Sequence, residues 1–291
     1  MIRSRQDKNF EIAAYVIMTI VMVIILFPFL LLFVSSLTKE STLLREGYSI
    51  FPRDLSLSAY SYIWESRETI FRAYGVTIGV TAVGTAVNVL ITAMIAYPLS
   101  LEKLPGRRVI SFLLLFTMLF HGGLVPTYMI YTTVLHIKNT WLALVFPNLL
   151  FSAFQTIIVR SYLQSNIPEE LYESAKMDGA SEFRIFRKIV LPLGKPIFVT
   201  IGIFAGLSYW NDWMNGLYYI SEPSKYSIQQ LLNVMVKNIQ YLAQFGKSGG
   251  GYPSISLRMA IAFVAMLPVL IVYPFLQKYF ERGIMLGAVK G

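Results

Sequence analysis

Trp210, Asn211, Asp212, Trp213 and Asn215 put a carboxylate, amides and two large aromatic rings within two helical turns. Aromatic rings stack on the C–H faces of sugars, while amides and carboxylates exchange hydrogen bonds with hydroxyls, so this stretch could line a sugar path. A carboxylate in hydrocarbon is expensive unless it faces protein or water. The same residues also suit an aromatic belt at the membrane–water boundary, with Asp212 in water or holding a structural partner, and the sequence leaves these readings open. Other chemistry is excluded more firmly. Gly246-Lys247-Ser248 looks like the end of a phosphate-binding loop, but Tyr241 stands where the first glycine would have to be. His121 and His136 are the only histidines and no carboxylate cluster accompanies them, so a helix-end role is expected and no metal site. Cysteine is absent, which removes disulfides, thiolate ligands and a cysteine nucleophile. No nucleophile and base pair suggests an enzyme.

The elements that must carry these residues are apolar. Of the 291 residues 55% are hydrophobic and only 14% charged, with mean hydropathy +0.58, which is too apolar for an ordinary soluble domain. The net charge of +9 is not the mark of a nucleic-acid binder, because the basic residues sit in short loops between apolar segments, as membrane topology requires. A helix needs ~20 apolar residues to cross a ~30 Å hydrocarbon core. Six stretches qualify: Ile12 to about Leu37, the spans between Arg72 and Glu102, Arg108 and His136, and Lys138 and Arg160, then Pro196 to Ile220, and Arg258 to Lys278. The first is too long for a removed signal peptide and lacks its cleavage site. The expected fold is therefore all-α, a polytopic membrane protein with six transmembrane helices.

Lysine and arginine in the loops set the orientation. With the N-terminus in the cytoplasm, fifteen of the 25 basic residues fall inside, including Arg107 and Arg108 after the turn Leu104-Pro105-Gly106, and both termini are cytoplasmic. Two outer segments are long: Thr38 to Thr69, read as an ordered surface cap, and Ser221 to Leu257, which ends in a glycine-rich run. Gly75 and Gly79 form a G-x-x-x-G suited to close helix packing.

Residues 168–192 form an amphipathic island between apolar stretches, on the inside by this orientation. Pro168 suits a first helical turn, and Glu169 and Glu170 add negative charge near that N-terminus. The helix is expected to run to Met177 or Asp178 and end on a left-handed Gly179. Ser181 can cap a second helix, with Phe183, Phe186 and Val190 on one side, and Pro192 ends or kinks it. An interfacial connector would share this amphipathicity. More specific are Glu173, Ala175, Gly179, Ile189, Leu191 and Pro192, which match the pattern E-A-A, three residues, G, nine residues, I-x-L-P. Ser174 stands in place of the first alanine.

That pattern is the cytoplasmic signature of binding-protein-dependent ABC importer permeases, and the chain resembles them along nearly its whole length. It is similar to the second permease of maltose-type sugar importers, and Phe120 to Tyr128 and Tyr209 to Trp213 resemble the branch that serves polysaccharide fragments, including uronate-containing ones. The resemblance implies a type I ABC importer permease architecture in a bacterial cytoplasmic membrane. It implies one transmembrane domain over 1–291 with its core at about 70–280, a coupling loop at 168–192 and a cytoplasmic tail at 281–291. Glu173, Ser174, Ala175, Asp178, Gly179, Phe183 and Phe186 would face a separate ATPase dimer, which holds the ATP and magnesium; this chain needs no cofactor. Gly246, Gly249, Gly250, Gly251 and Tyr252 would meet an extracytoplasmic sugar-binding protein, and a homologous second permease would complete the pore. The last five residues, Gly287 to Gly291, agree with a tail that reaches the ATPase interface. The competing reading is a self-sufficient secondary transporter or channel, for which Asp212 alone offers an intramembrane ionisable group and no inverted repeat is apparent.

Overall fold

The computed structural model describes residues 5–244 and 255–288. In chain order the helices are α1 (Arg5–Ser36), α2 (Glu40–Glu46), α3 (Ser58–Glu65), α4 (Arg67–Ser100), α5 (Arg107–Leu119), α6 (Leu124–Met129), α7 (Leu142–Val145) and α8 (Ala153–Asn166). They continue with α9 (Glu169–Met177), α10 (Glu182–Ile185), α11 (Leu191–Leu193), α12 (Lys195–Asn211), α13 (Met214–Tyr219), α14 (Ile228–Gln244) and α15 (Ile255–Ala288). π-turns at Ile130–Val134 and Phe186–Val190 extend α6 and join α10 to α11. Among the described residues no strand forms.

The chain divides into two compact units, one comprising residues 1–68 and 234–269 and the other 69–233 and 270–291. In the first, α1 from Ile12 onward is apolar around its whole circumference, and its side chains from Tyr15 to Leu30 are exposed; a helix of that kind needs lipid around it. The segment after α1 is folded. Its backbone pairs Lys39 N–H with Asp54 O and Ser56 N–H with Leu37 O, and Tyr60 shares a 2.7 Å hydrogen bond with Ser36. Glu40 then accepts from the backbone N–H groups of Ile255 and Ser256 and from the Ser256 hydroxyl, so its carboxylate neutralises the open N-terminus of α15.

The second unit is organised along α4. Ala93, Ala96 and Tyr97 near its end pack with Val159 and Leu163 of α8, Tyr172 of α9, Ile185 and Phe186, and Ile197 and Ile201 of α12. Val76 and Val80 near its start pack with Ala143 to Val145, Tyr209 and Tyr219.

Three described helices, at Asn9–Ser36, Arg67–Ser100 and Ile255–Val272, are long and apolar enough to cross a membrane, and up to five if two bent pairs each count as one span. The expected third span bends by 110° between Leu119 and Leu124, where Phe120 is extended and Gly123 takes φ +83. The expected fourth span is not one helix, since α7 stops at Val145 and α8 starts at Ala153, with Asn148 at φ +61 between them. The carbonyls that this break releases are held by side chains. Tyr209 donates to Val145 O (2.9 Å), Asn215 to Pro147 O (2.9 Å), and Asn88 to Leu149 O and Leu150 O (2.9 and 3.2 Å). Irregular backbone at membrane depth is tolerable only when protein groups satisfy it in this way. The expected fifth span is likewise interrupted: α12 ends at Asn211, and α13 starts at Met214.

Candidate coupling surface and substrate path

α9 begins after an extended Pro168 and carries Glu169 and Glu170 in its first turn. It closes as a Schellman motif: Ala180 N–H donates to Ala175 O (2.9 Å) and Gly179 N–H to Lys176 O (3.0 Å), with Gly179 at φ +74. Ser181 follows as N-cap, its hydroxyl accepting from Arg184 N–H at 3.3 Å. Glu182 binds both sides of the turn, pairing with Lys176 at 2.8 Å and accepting from the Tyr97 hydroxyl at 2.6 Å, which fixes the helix pair to α4. Beyond it a π-turn widens the helix ahead of Pro192, whose ring nitrogen has no N–H to give. The chain turns by 78° into α12 at Gly194. A Cβ there would meet the Val190 carbonyl at 2.7 Å and the Phe198 ring, so only glycine fits this corner.

The pair presents a groove of about 920 Å³ between its outer face and the end of α4. Leu90, Met94 and Phe183 line its apolar part, and Lys103, Glu173 and Lys176 line the rim. Lys103, in the loop after α4, reaches Glu173 at 2.7 Å and Glu169 at 3.9 Å. Its hydrogen bond and charge hold the Glu173 carboxyl below the usual carboxylate range, and Glu173 in turn raises Lys103. The pair is therefore intact at neutral pH, and opens either as acid protonates Glu173 below that range or as strong alkali deprotonates Lys103 above the usual lysine range. Such an arrangement suits the seating of an apolar side chain with charged groups around it, a docking site and not a reacting one.

The residues expected at the contact divide. Glu173, Ser174, Asp178, Gly179 and Phe183 are exposed, Phe183 to 73%. Ala175 is half-buried against the core below, and Phe186 is buried, with its ring 5.9 Å from that of Tyr97, so it lines the groove from its inner side and supports the exposed residues from beneath. Met177 was not anticipated; it is 88% exposed two residues before Gly179, an apolar projection on a polar helix. Its signal in the sequence was present, an apolar residue out of register with the buried Tyr172 side.

The stretch at 210–215 is brought together, though partly for structural work. Asp212 is half-buried, and its Oδ1 accepts from the N–H groups of Met214 (3.1 Å) and Asn215 (3.3 Å), starting α13. Asn215 is buried and occupied by the Pro147 carbonyl. Asn211 is exposed and bonds back to Leu207 O. The Trp210 ring lies 6.4 Å from Tyr74 with its indole N–H buried and unpartnered, while Trp213 is 37% exposed. These roles predict a separation by substitution. Asp212→Ala removes the cap and costs ~1 kcal/mol of stability, read as a lower melting temperature, whereas Asp212→Asn keeps an accepting oxygen and melts like the wild type. Equal melting of the two variants would remove the cap assignment.

Gly246, Gly249, Gly250, Gly251 and Tyr252 lie outside the described residues, as do Val289 to Gly291 of the tail. Among the described residues no three of histidine, aspartate and glutamate converge as metal ligands.

Residues 75–286 match the family described as binding-protein-dependent transport system inner membrane component. The polygalacturonan/rhamnogalacturonan transport system permease protein YtcP of Bacillus subtilis is 36% identical, over 98% of this chain and all of its own. The protein LplC of the same organism is 35% identical, over all of this chain and 98% of its own. A solved bacterial ABC transporter involved in the import of the acidic polysaccharide alginate has a chain that superposes with a TM-score of 0.80 at 27% identity, covering 96% of this chain and 99% of that one.

Proposed function

The chain belongs to the binding-protein-dependent inner-membrane family of ABC importer permeases, and from that membership we propose that it moves an oligosaccharide released from an acidic polysaccharide. Its own part in transport is not enzymatic; ATP hydrolysis belongs to a separate subunit. The polysaccharide names carried by YtcP and by the alginate importer support this cargo. In this reading the chain crosses the bacterial cytoplasmic membrane six times with both termini inside and pairs with a second permease. A binding protein delivers the sugar outside, and an ATPase dimer with its magnesium and nucleotide works from within.

One observation carries the coupling assignment: the Schellman-closed helix pair at 169–193 leaves Glu173, Ser174, Met177, Asp178, Gly179 and Phe183 exposed beside an apolar groove. These are the residues we assign to the ATPase contact, with Ala175 and Phe186 as their support. Trp210, Asn211 and Trp213 are assigned to the sugar path together with the outer edge of Asp212, and Asn215 to its scaffold. A secondary transporter would need a free intramembrane carboxylate, and Asp212 is engaged in starting α13.

The cargo is tested with the paired binding protein: acidic oligosaccharides raise its melting temperature and neutral ones of equal length do not. Stabilisation by neutral sugars alone would reject the acidic assignment. The assignment of Gly246 to Tyr252 to the binding protein is tested by deleting Gly246 to Gly251. Uptake is lost while the purified complex keeps its subunits, and unchanged uptake would refute the contact.

A further inference from the structure

A second groove, of about 690 Å³, opens where α5 leaves the turn Leu104-Pro105-Gly106. Arg107 and Arg108 of α5 and Arg160 of α8 line it, with Ser111 receiving a 3.1 Å hydrogen bond from Arg160 Nη1. The Nε atoms of Arg107 and Arg160 are both shut off from solvent and have no hydrogen-bond partner. None of the three arginines forms an ion pair among the described residues. Glu102 is the one carboxylate lining the groove; it is exposed and likewise unpaired, so the lining stays positive.

Gathering three guanidinium charges without a counter-ion is costly. An anion in the groove relieves that cost, and the N-terminal end of α5 adds favourable potential for one. What distinguishes this groove from a site for a soluble anion is its other lining. Phe112 and Leu115, one and two turns further along α5, are 63% and 50% exposed. They continue the groove as an apolar track on a helix that passes as half of a bent membrane span. Lys103, in the same turn as the groove's mouth, pairs with Glu173, which puts the arginines on the side of the helix pair at 169–193.

We propose that this groove binds the phosphodiester headgroup of an anionic phospholipid of the inner leaflet, its acyl chain lying along Phe112 and Leu115. The planar guanidinium forks of Arg107 and Arg160 take the phosphate oxygens and Arg108 closes the mouth, as basic pockets at the cytoplasmic ends of membrane helices take lipid headgroups. The inference rests on the proposed orientation, with the helix pair at 169–193 in the cytoplasm, and is independent of the cargo.

The test is native mass spectrometry of the complete purified complex, exchanged into micelles with equal phosphatidylglycerol and phosphatidylcholine. The wild type retains phosphatidylglycerol over phosphatidylcholine, and Arg107→Gln with Arg160→Gln lowers that preference about tenfold, as expected for losing charge-assisted bonds. Arg108→Gln, on an exposed side chain, lowers it severalfold, and it carries the test if the double variant fails to assemble. A preference unchanged in every assembled variant, or absent from the wild type, overturns the proposal. Complete displacement of phosphatidylglycerol by millimolar inorganic phosphate would also overturn it, since the site would then be one for free anions.

Discussion

Gly179→Leu leaves the permease folded and assembled with its partners, yet removes most of the ATP hydrolysis that the loaded binding protein stimulates. The reasons are local. Gly179 holds φ +74 in the Schellman turn, where a side chain costs ~1–2 kcal/mol, and a Cβ built there meets nothing within 4 Å in this chain. That cost is small beside a global stability of ~5–15 kcal/mol, so the fold survives. The leucine instead projects from the face assigned to the ATPase, and it loosens the turn that joins the two helices carrying Met177 and Phe183. Each 1.4 kcal/mol lost from docking is about tenfold in affinity, so stimulation falls at least about tenfold. Gly179→Asn, which tolerates the left-handed region, keeps more of it. Full stimulation in the leucine variant would show that this turn is not at the contact.

Gly84→Ala has the other large effect, on stability. A methyl group at Gly84 falls within the ring of Tyr209, the residue that anchors α12 beside α4 and holds the freed Val145 carbonyl at 2.9 Å. The ring cannot retreat without releasing that buried carbonyl. Overpacking of this kind costs ~1–3 kcal/mol, read as a fall in the melting temperature of the detergent-solubilised complex. In a Tyr209→Val background the same change at Gly84 costs far less, and the difference is the coupling energy of the pair. If the cost of Gly84→Ala is the same in both backgrounds, the contact does not decide the packing.

Much of this was legible in the chain. Pro168, Glu169, Glu170, Gly179 and Ser181 are residues whose backbone chemistry starts and stops helices, and the helix pair forms where they stand. α1 and α4 were visible because an unbroken apolar run has few alternatives. The breaks at 146–152 and at Asp212 were not, because hydropathy sums over a window and does not register which carbonyls are paired. Pro147-Asn148 was a turn signal inside an apolar stretch, but its meaning depends on Asn88 and Asn215, which approach it from distant positions. For the same reason Asn215 read as a possible sugar contact; spacing along one helix put it beside Asp212, while its partner lies 68 positions away. Phe186 shares its helix face with Val190, and only the position of Tyr97 decides that this face turns inward.

The central claim, that the helix pair at 169–193 docks a separate ATPase, is tested most directly by cross-linking, for which a chain without cysteine needs no background substitutions. Single cysteines are introduced by Met177→Cys, at the 88% exposed position near the end of α9, and by Phe51→Cys, at an 86% exposed position in the segment assigned to the outer face. With a short bifunctional thiol–amine reagent, the Met177→Cys chain joins to the ATPase subunit of the purified complex, its yield changes when nucleotide closes the ATPase dimer, and the Phe51→Cys chain does not join to it. An equal yield from the two chains, or a purified complex that contains no ATPase, would contradict the account.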